Sequence, residues 1–125
     1  MAKSLKNKLS NMLEGWQKAR FQRKLEKMLL ELTERNGIEI YGNLSIELAN
    51  LDTLALLKGN KIYVDLKAMK LPDYVLKYII AHELAHLILK RHTKRFWDIV
   101  KQIYPEYEIG RQKLLQLKEK LKDEF

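Results

Sequence analysis

Residues 72–97, PDYVLKYIIAHELAHLILKRHTKRFW, decide how this chain is read. Pro72-Asp73 opens a helix, because the N–H that proline lacks is one that a first turn leaves unbonded. From Tyr74 to Leu89 apolar residues fall on nearly every side: Val75, Leu76, Ile79, Ile80, Ala81, Leu84, Ala85, Leu87 and Ile88. A helix that is apolar all round belongs in the middle of a domain. Within it stand His82, Glu83 and His86, where an unpartnered polar group costs roughly 1–3 kcal/mol or more. A shared metal ion offsets that cost. Histidines four apart lie one turn apart on the same face, so both imidazoles reach one ion. Glu83 follows the first of them, on the side where a metal-bound water belongs, and a carboxylate there serves as general base.

The chain has three histidines, all between positions 82 and 92. On an unbroken helix His92 would be turned about 80° from His82 and lie about 15 Å further along the axis. It joins the other two only if the helix ends after about Leu89 and the chain folds back. Lys90-Arg91-His92-Thr93 is a polar step between apolar helices, which suits such a break, and Thr93 can cap the helix carrying Phe96, Trp97, Ile99, Val100 and Ile103. The reading is a site for Zn2+ at His82, His86 and His92, with Glu106 or Glu108 as alternatives for the third ligand.

Working outward, 125 residues fit one domain, 1–125, with a basic N-terminal helix at 1–20 and a helical tail at 104–125. No cysteine is present, which excludes disulfides and thiolate metal sites. No apolar run reaches membrane-spanning length, and the N-terminus does not read as a secretion signal, so a cytoplasmic protein is the expectation. The net charge is +8, much of it from Lys3, Lys6, Lys8, Lys18, Arg20, Arg23, Lys24 and Lys27. Such a balance attracts nucleic acid, anionic lipid or acidic partners, or is simply a solvated face.

Leu5, Leu9, Met12, Leu13 and Trp16 fall at helical spacing, and Phe21, Leu25, Met28, Leu29 and Leu32 continue after a slip near Ala19. Gly15 and the slip suggest two helices or one bent one, ending at Asn36-Gly37. The residues from 21 onward read as core, whereas 4–18 face the core, a partner or a membrane surface. Between Ile38 and Leu66 the period changes to two. Ile38–Tyr41, Ser45–Leu48, Thr53–Leu57 and Lys61–Leu66 read as strands of a small, mostly antiparallel sheet, with a hairpin turn at Lys58-Gly59-Asn60. A last amphipathic helix runs from Ile109 to Phe125. The fold class is α+β, a small antiparallel sheet packed on a central active-site helix with flanking N- and C-terminal helices.

The run Ile80 to Leu87, followed by His92-Thr93-Lys94-Arg95-Phe96-Trp97, resembles the YgjP-like metallopeptidase domain and the related archaeal minigluzincins. The resemblance implies zinc-dependent endopeptidase activity, a thermolysin-like (gluzincin) subdomain, and a third histidine ligand that maps onto His92. It also implies a strand above the cleft that pairs with a peptide or unfolded-protein substrate, here near Ile62-Tyr63-Val64. Minigluzincins are made in latent form, blocked by C-terminal segments within one chain or across a swapped dimer. That implies a zymogen-like role for residues after about Ile103, a homodimer through the C-terminal helix, and Glu106 or Glu108 in the position of the attacking water. Metzincins share the histidine spacing but need Gly at Leu89 and a methionine turn after the third histidine, and this chain has no methionine after Met69. YbeY-like endoribonucleases share it too, but carry Gly where this chain has Glu83.

The resulting expectation is a zinc metallopeptidase with Glu83 as catalytic base. Tyr63, Tyr74, Tyr78 and Tyr104 are candidates for stabilising the oxyanion, and Asp98 for orienting a ligand histidine. A basic zinc protein associated with nucleic acid, as in DNA-linked relatives of the SprT type, and a latent dimer acting as an interaction module are the alternatives.

Overall fold

The apolar helix expected from Pro72 onward forms as α2 (Asp73–His86), with Val75, Leu76 and every residue from Tyr78 to Ala85 buried. The computed structural model describes residues 2–35 and 44–117 of the chain, and the strand expected at 38–41 lies outside them. Pro72 caps α2, its carbonyl accepting from the Val75 and Leu76 amides at 3.0 and 3.1 Å. Around α2 stand α1 (Ala2–Arg35), α3 (Lys94–Ile103) and α4 (Tyr107–Leu117), together with a sheet of β1 (Ser45–Ala49), β2 (Ala55–Lys58) and β3 (Lys61–Asp65). All three helices and β2 pack against α2, which explains its lack of a solvent face. The architecture is the α+β one expected.

Helix α1 is continuous where the sequence suggested a break or bend. Phe21, Leu25, Met28, Leu29 and Leu32 are buried, while Leu5, Leu9, Met12, Leu13 and Trp16 are exposed. At 3.6 residues per turn the two stripes point roughly 160° apart. The slip near Ala19 is therefore a change of face within one helix. Gly15 meets nothing within 4 Å, so it neither marks a crossing nor forces a kink.

The sheet is mixed, not antiparallel. Its order is β1-β3-β2, with β1 parallel and β2 antiparallel to β3. Alternating hydrophobicity marks a strand but is blind to its direction. Direction here is set at the end of β3, where Asp65 is buried and its carboxylate accepts from the Leu51 amide at 2.7 Å and the Lys67 amide at 2.9 Å. That anchor carries the short β1–β2 connection past the end of β3, so that β2 lands on the far side of it. The β2–β3 hairpin turns at Gly59, whose φ of 62° is the conformation glycine favours. On the outer edge of β1, the Gln22 carboxamide donates to the Ile46 carbonyl at 2.7 Å and accepts from the Leu48 amide at 3.1 Å. It stands in for a further strand.

Helix α4 begins two residues earlier than the expected Ile109, and residues 118–125 lie outside the description. It crosses α2 at Gly110, where an added Cβ would lie 2.6 Å from the Tyr74 carbonyl oxygen and 2.8 Å from the Tyr78 Cβ. Leu114, one turn on, is buried. Gly110→Ala should therefore destabilise the fold by about 1–3 kcal/mol in denaturant titrations. Gly15→Ala, on an exposed helix with open space around it, should instead be neutral or stabilise by up to about 1 kcal/mol.

Candidate metal centre

The helix bearing the first two histidines stops sooner than expected. His86 is the last residue of α2, and the Leu87 and Ile88 amides tighten onto the Leu84 and Ala85 carbonyls at 3.1 and 3.0 Å. The Leu89 amide, still bonded to the Ala85 carbonyl at 2.9 Å, closes the turn. Thr93 then caps α3, its hydroxyl accepting from the Phe96 amide at 3.4 Å. His92, immediately before that cap, comes back beside the end of α2. One ring nitrogen from each of His82, His86 and His92 lies within 4.8 Å of the other two. The Nε2 atoms of His86 and His92 are 3.2 Å apart.

Neighbouring groups orient the rings. His86 Nδ1 lies 3.2 Å from the Leu89 carbonyl oxygen, which assigns the proton to Nδ1 and leaves the Nε2 lone pair free for a ligand. His82 Nδ1 lies 3.4 Å from a Glu83 carboxylate oxygen. Phe96, fully buried on α3, sets its ring against all three imidazoles at 5.2, 4.7 and 4.9 Å between centroids. A second layer stands behind it. Tyr107 stacks on both Tyr78 and Trp97, Trp97 lies 6.0 Å from His82 and from His92, and the Arg111 guanidinium covers the Trp97 ring at 4.7 Å. Arg111 also hydrogen-bonds the Tyr78 hydroxyl, whose pKa burial pushes above its usual value. The sequence showed Phe96 and Trp97 as part of an apolar stripe and of the run carrying the family resemblance, with no sign that they brace the imidazoles, and nothing in it singled out Tyr107 or Arg111.

Burial governs the charges. It lowers the pKa of His82 to about 3, helped by the charges of His92 and Arg111, and lowers that of His86 as well. Burial raises Glu83 to about 7, against the opposing pull of His86 and His92. Neutral imidazoles are the ligand form, and a carboxyl titrating near neutrality is suited to taking and returning protons. Glu83, His82 and His86 line a cleft of about 660 Å³ whose facing wall includes Ala55, Leu56 and Leu57 of β2.

The other expected site residues lie elsewhere. Tyr63 is on β3, beneath the Lys61 ammonium at 5.7 Å, and does not line the cleft. Tyr104 borders a separate hollow with Glu31, Arg35 and Lys77. The Tyr74 backbone forms part of the α4 crossing, and only Tyr78 brings its ring near His82, at 6.0 Å. Asp98, expected to orient a ligand histidine, is exposed, and the group that faces His86 Nδ1 is the carbonyl of Leu89. Glu106 and Glu108 are exposed at the start of α4 and line no part of the cleft. The third position of the cluster belongs to His92.

Imidazole nitrogens bound at about 2.0–2.1 Å to a tetrahedral ion stand about 3.3 Å apart. The His86–His92 separation of 3.2 Å fits that spacing, and three nitrogen donors without thiolate suit zinc. A family model of the YgjP-like metallopeptidase domain matches residues 1–117. The chain belongs to this family. No curated protein matches it. Among solved structures, the metallopeptidase zymogen abylysin of Pyrococcus abyssi shares 21% identity over 74% of this chain and 92% of its own, with a TM-score of 0.64. The metallopeptidase zymogen jannalysin of Methanocaldococcus jannaschii shares 19% identity over 74% of this chain and 94% of its own, with a TM-score of 0.60. Both have the fold of this YgjP-like domain. Its described residues include no helix long and apolar enough to cross a membrane.

Two outcomes follow for the YgjP-like domain. His92→Ala should lower zinc affinity at least about tenfold in competition with a chelator, and His86→Ala should lower it further. The second concerns pH in metal-free protein. Because the folded pKa of Glu83 lies above its unfolded value of 4.5, this group makes the fold progressively less stable as pH rises from 4.5 to about 7. His82 acts oppositely, its contribution being complete above 6.5 and lost as pH falls towards 3. Glu83→Gln should therefore stabilise metal-free protein at pH 8 by up to about 3 kcal/mol more than at pH 4, read as the difference in denaturation midpoints.

Proposed function

We propose that this domain is a zinc-dependent endopeptidase in which Glu83 is the general base and β2 aligns an extended peptide. The observation that carries the proposal is the cleft itself, with His82, Glu83 and His86 on one wall and β2 on the other. The substrate strand expected at Ile62-Tyr63-Val64 is β3, which has β1 on one side and β2 on the other and so offers no edge. Strand β2 pairs with β3 alone among the described strands, and Gln22 covers the outer edge of β1. Among the described residues, the backbone groups left to accept a further strand are thus those of β2 that face away from β3, beside the metal centre. An extended chain added there gains main-chain hydrogen bonds whatever its side chains.

When bound, zinc supplies Lewis acidity that polarises the scissile carbonyl and acidifies the attacking water. Glu83 takes the proton from that water and returns it to the leaving amine nitrogen as the C–N bond breaks. Phe96 and the Leu89 carbonyl hold the imidazoles at their angles, so that little reorganisation accompanies the reaction. Latency by the C-terminal segment narrows to residues 118–125. Tyr107, Gly110, Arg111 and Leu114 belong to the folded body, and cutting the chain after Ile103 would remove them.

The test is cleavage of an unfolded protein by zinc-loaded chain, full-length and ending at Leu117. Glu83→Gln should lower the rate by about 10²- to 10⁴-fold while zinc remains bound. A faster rate for the shortened chain would locate latency in residues 118–125. Failure of both forms to cut any unfolded substrate, with zinc in place, would refute the peptidase proposal.

A further inference from the structure

Residues 2–20 of α1 make a helical arm about 28 Å long whose apolar face has no counterpart among the described residues of the body. Leu5, Leu9, Met12, Leu13 and Trp16 are between 53% and 76% exposed, Trp16 the most. They fall within an arc of about 100°, the width of an interfacial stripe. Because this stripe points roughly 160° from the face that packs on the core, the arm cannot fold it inward while α1 stays continuous. Nothing among the described residues of the body is placed to bury it.

Charge identifies the occupant. Residues 2–20 hold Lys3, Lys6, Lys8, Lys18 and Arg20 against a single acid, Glu14. Glu14 falls on the side of the helix away from the stripe, as does Lys18, which lines a hollow against β1, whereas Lys8 borders the stripe and Arg20 continues its line one turn beyond Trp16. We propose that this arm binds an anionic phospholipid surface, lying in its plane with the stripe among the acyl chains and the cations that border it at the headgroups. An apolar face of this width flanked by lysine and arginine gains from both contacts at once. Pairing with the same arm of a second copy would bring the Lys8 and Arg20 cations along the two stripes together at a helix–helix distance of about 8–10 Å, within one Debye length. Nucleic acid would engage the cations and leave the stripe in water. With the stripe in the lipid, the face of α1 that carries the body points away from the membrane, and the cleft stays in water.

The test uses the full chain and vesicles of phosphatidylcholine, with or without about 30% phosphatidylglycerol. Sedimentation should show binding to the anionic vesicles at least about tenfold tighter than to the neutral ones, reversed by high salt. Trp16 emission should shift to the blue on binding, and Trp16→Phe should lose that shift. The double variant Leu9→Glu/Leu13→Glu, at two exposed positions, should weaken binding about a hundredfold with helix content and zinc content unchanged. Absence of vesicle binding, or equal binding to both compositions, overturns the proposal. In that event a dimer dissolved by the double variant would assign the stripe to a second copy. Salt-sensitive duplex-DNA binding that the double variant keeps would assign the cations to nucleic acid.

Discussion

Two ionisable side chains, His82 and Glu83, are buried in a helix with no solvent face along most of its length, and the rest of the domain is arranged around that constraint. Desolvation is the largest cause that keeps the histidine neutral, and it favours the protonated carboxyl. Those are the protonation states of an imidazole ready to ligate and of an acid poised to exchange a proton near neutrality. A cation at the cluster offsets the burial of both. The same packing that makes α2 apolar thus prepares its polar residues for chemistry, because Phe96 and the aromatic layer behind it exclude water from one side of the imidazoles.

The second constraint is the management of sheet edges. An unpaired strand edge invites another chain. In this domain Gln22 occupies the outer edge of β1 by mimicking a peptide group, while β3 is enclosed. Among the described residues the outer edge of β2 pairs with no strand, and Ala55, Leu56 and Leu57 line the cleft with the histidines. Helix α4, which resemblance cast as a blocking segment, instead completes the wall behind the histidines through Gly110, Arg111 and Tyr107. Close approach at Gly110 is what lets Arg111 reach Trp97 and Tyr78.

Much of the centre was legible beforehand because its spacing is local. His82 and His86 share a helix face by periodicity, and the polar step at Lys90 to Thr93 marked where the chain returns His92 to them. Thr93 was legible as a cap because capping needs only a hydroxyl and a following amide. Tyr63 and Tyr104 were misjudged as neighbours of the centre because nothing local to a tyrosine tells which wall of a domain it joins. Strand direction was equally hidden, since the anchor that sets it, Asp65 with the Leu51 amide, spans 14 residues. The turn of α1's apolar face near Ala19 was visible as a slip. Whether it meant a break or a change of face depended on what packs against residues 21–32.

The sequence by itself determined the central helix, two histidines at a one-turn spacing, the carboxylate between them and the absence of thiolates. These depend on residue type and on periodicities of a few residues. Only the tertiary structure decided which strand edge faces the centre, which aromatic groups brace it, that α4 belongs to the body, and that the first stripe of α1 is left bare. Those outcomes arise from contacts between segments far apart in the chain. Their energies depend on shape and edge pairing, which no short window of residues encodes.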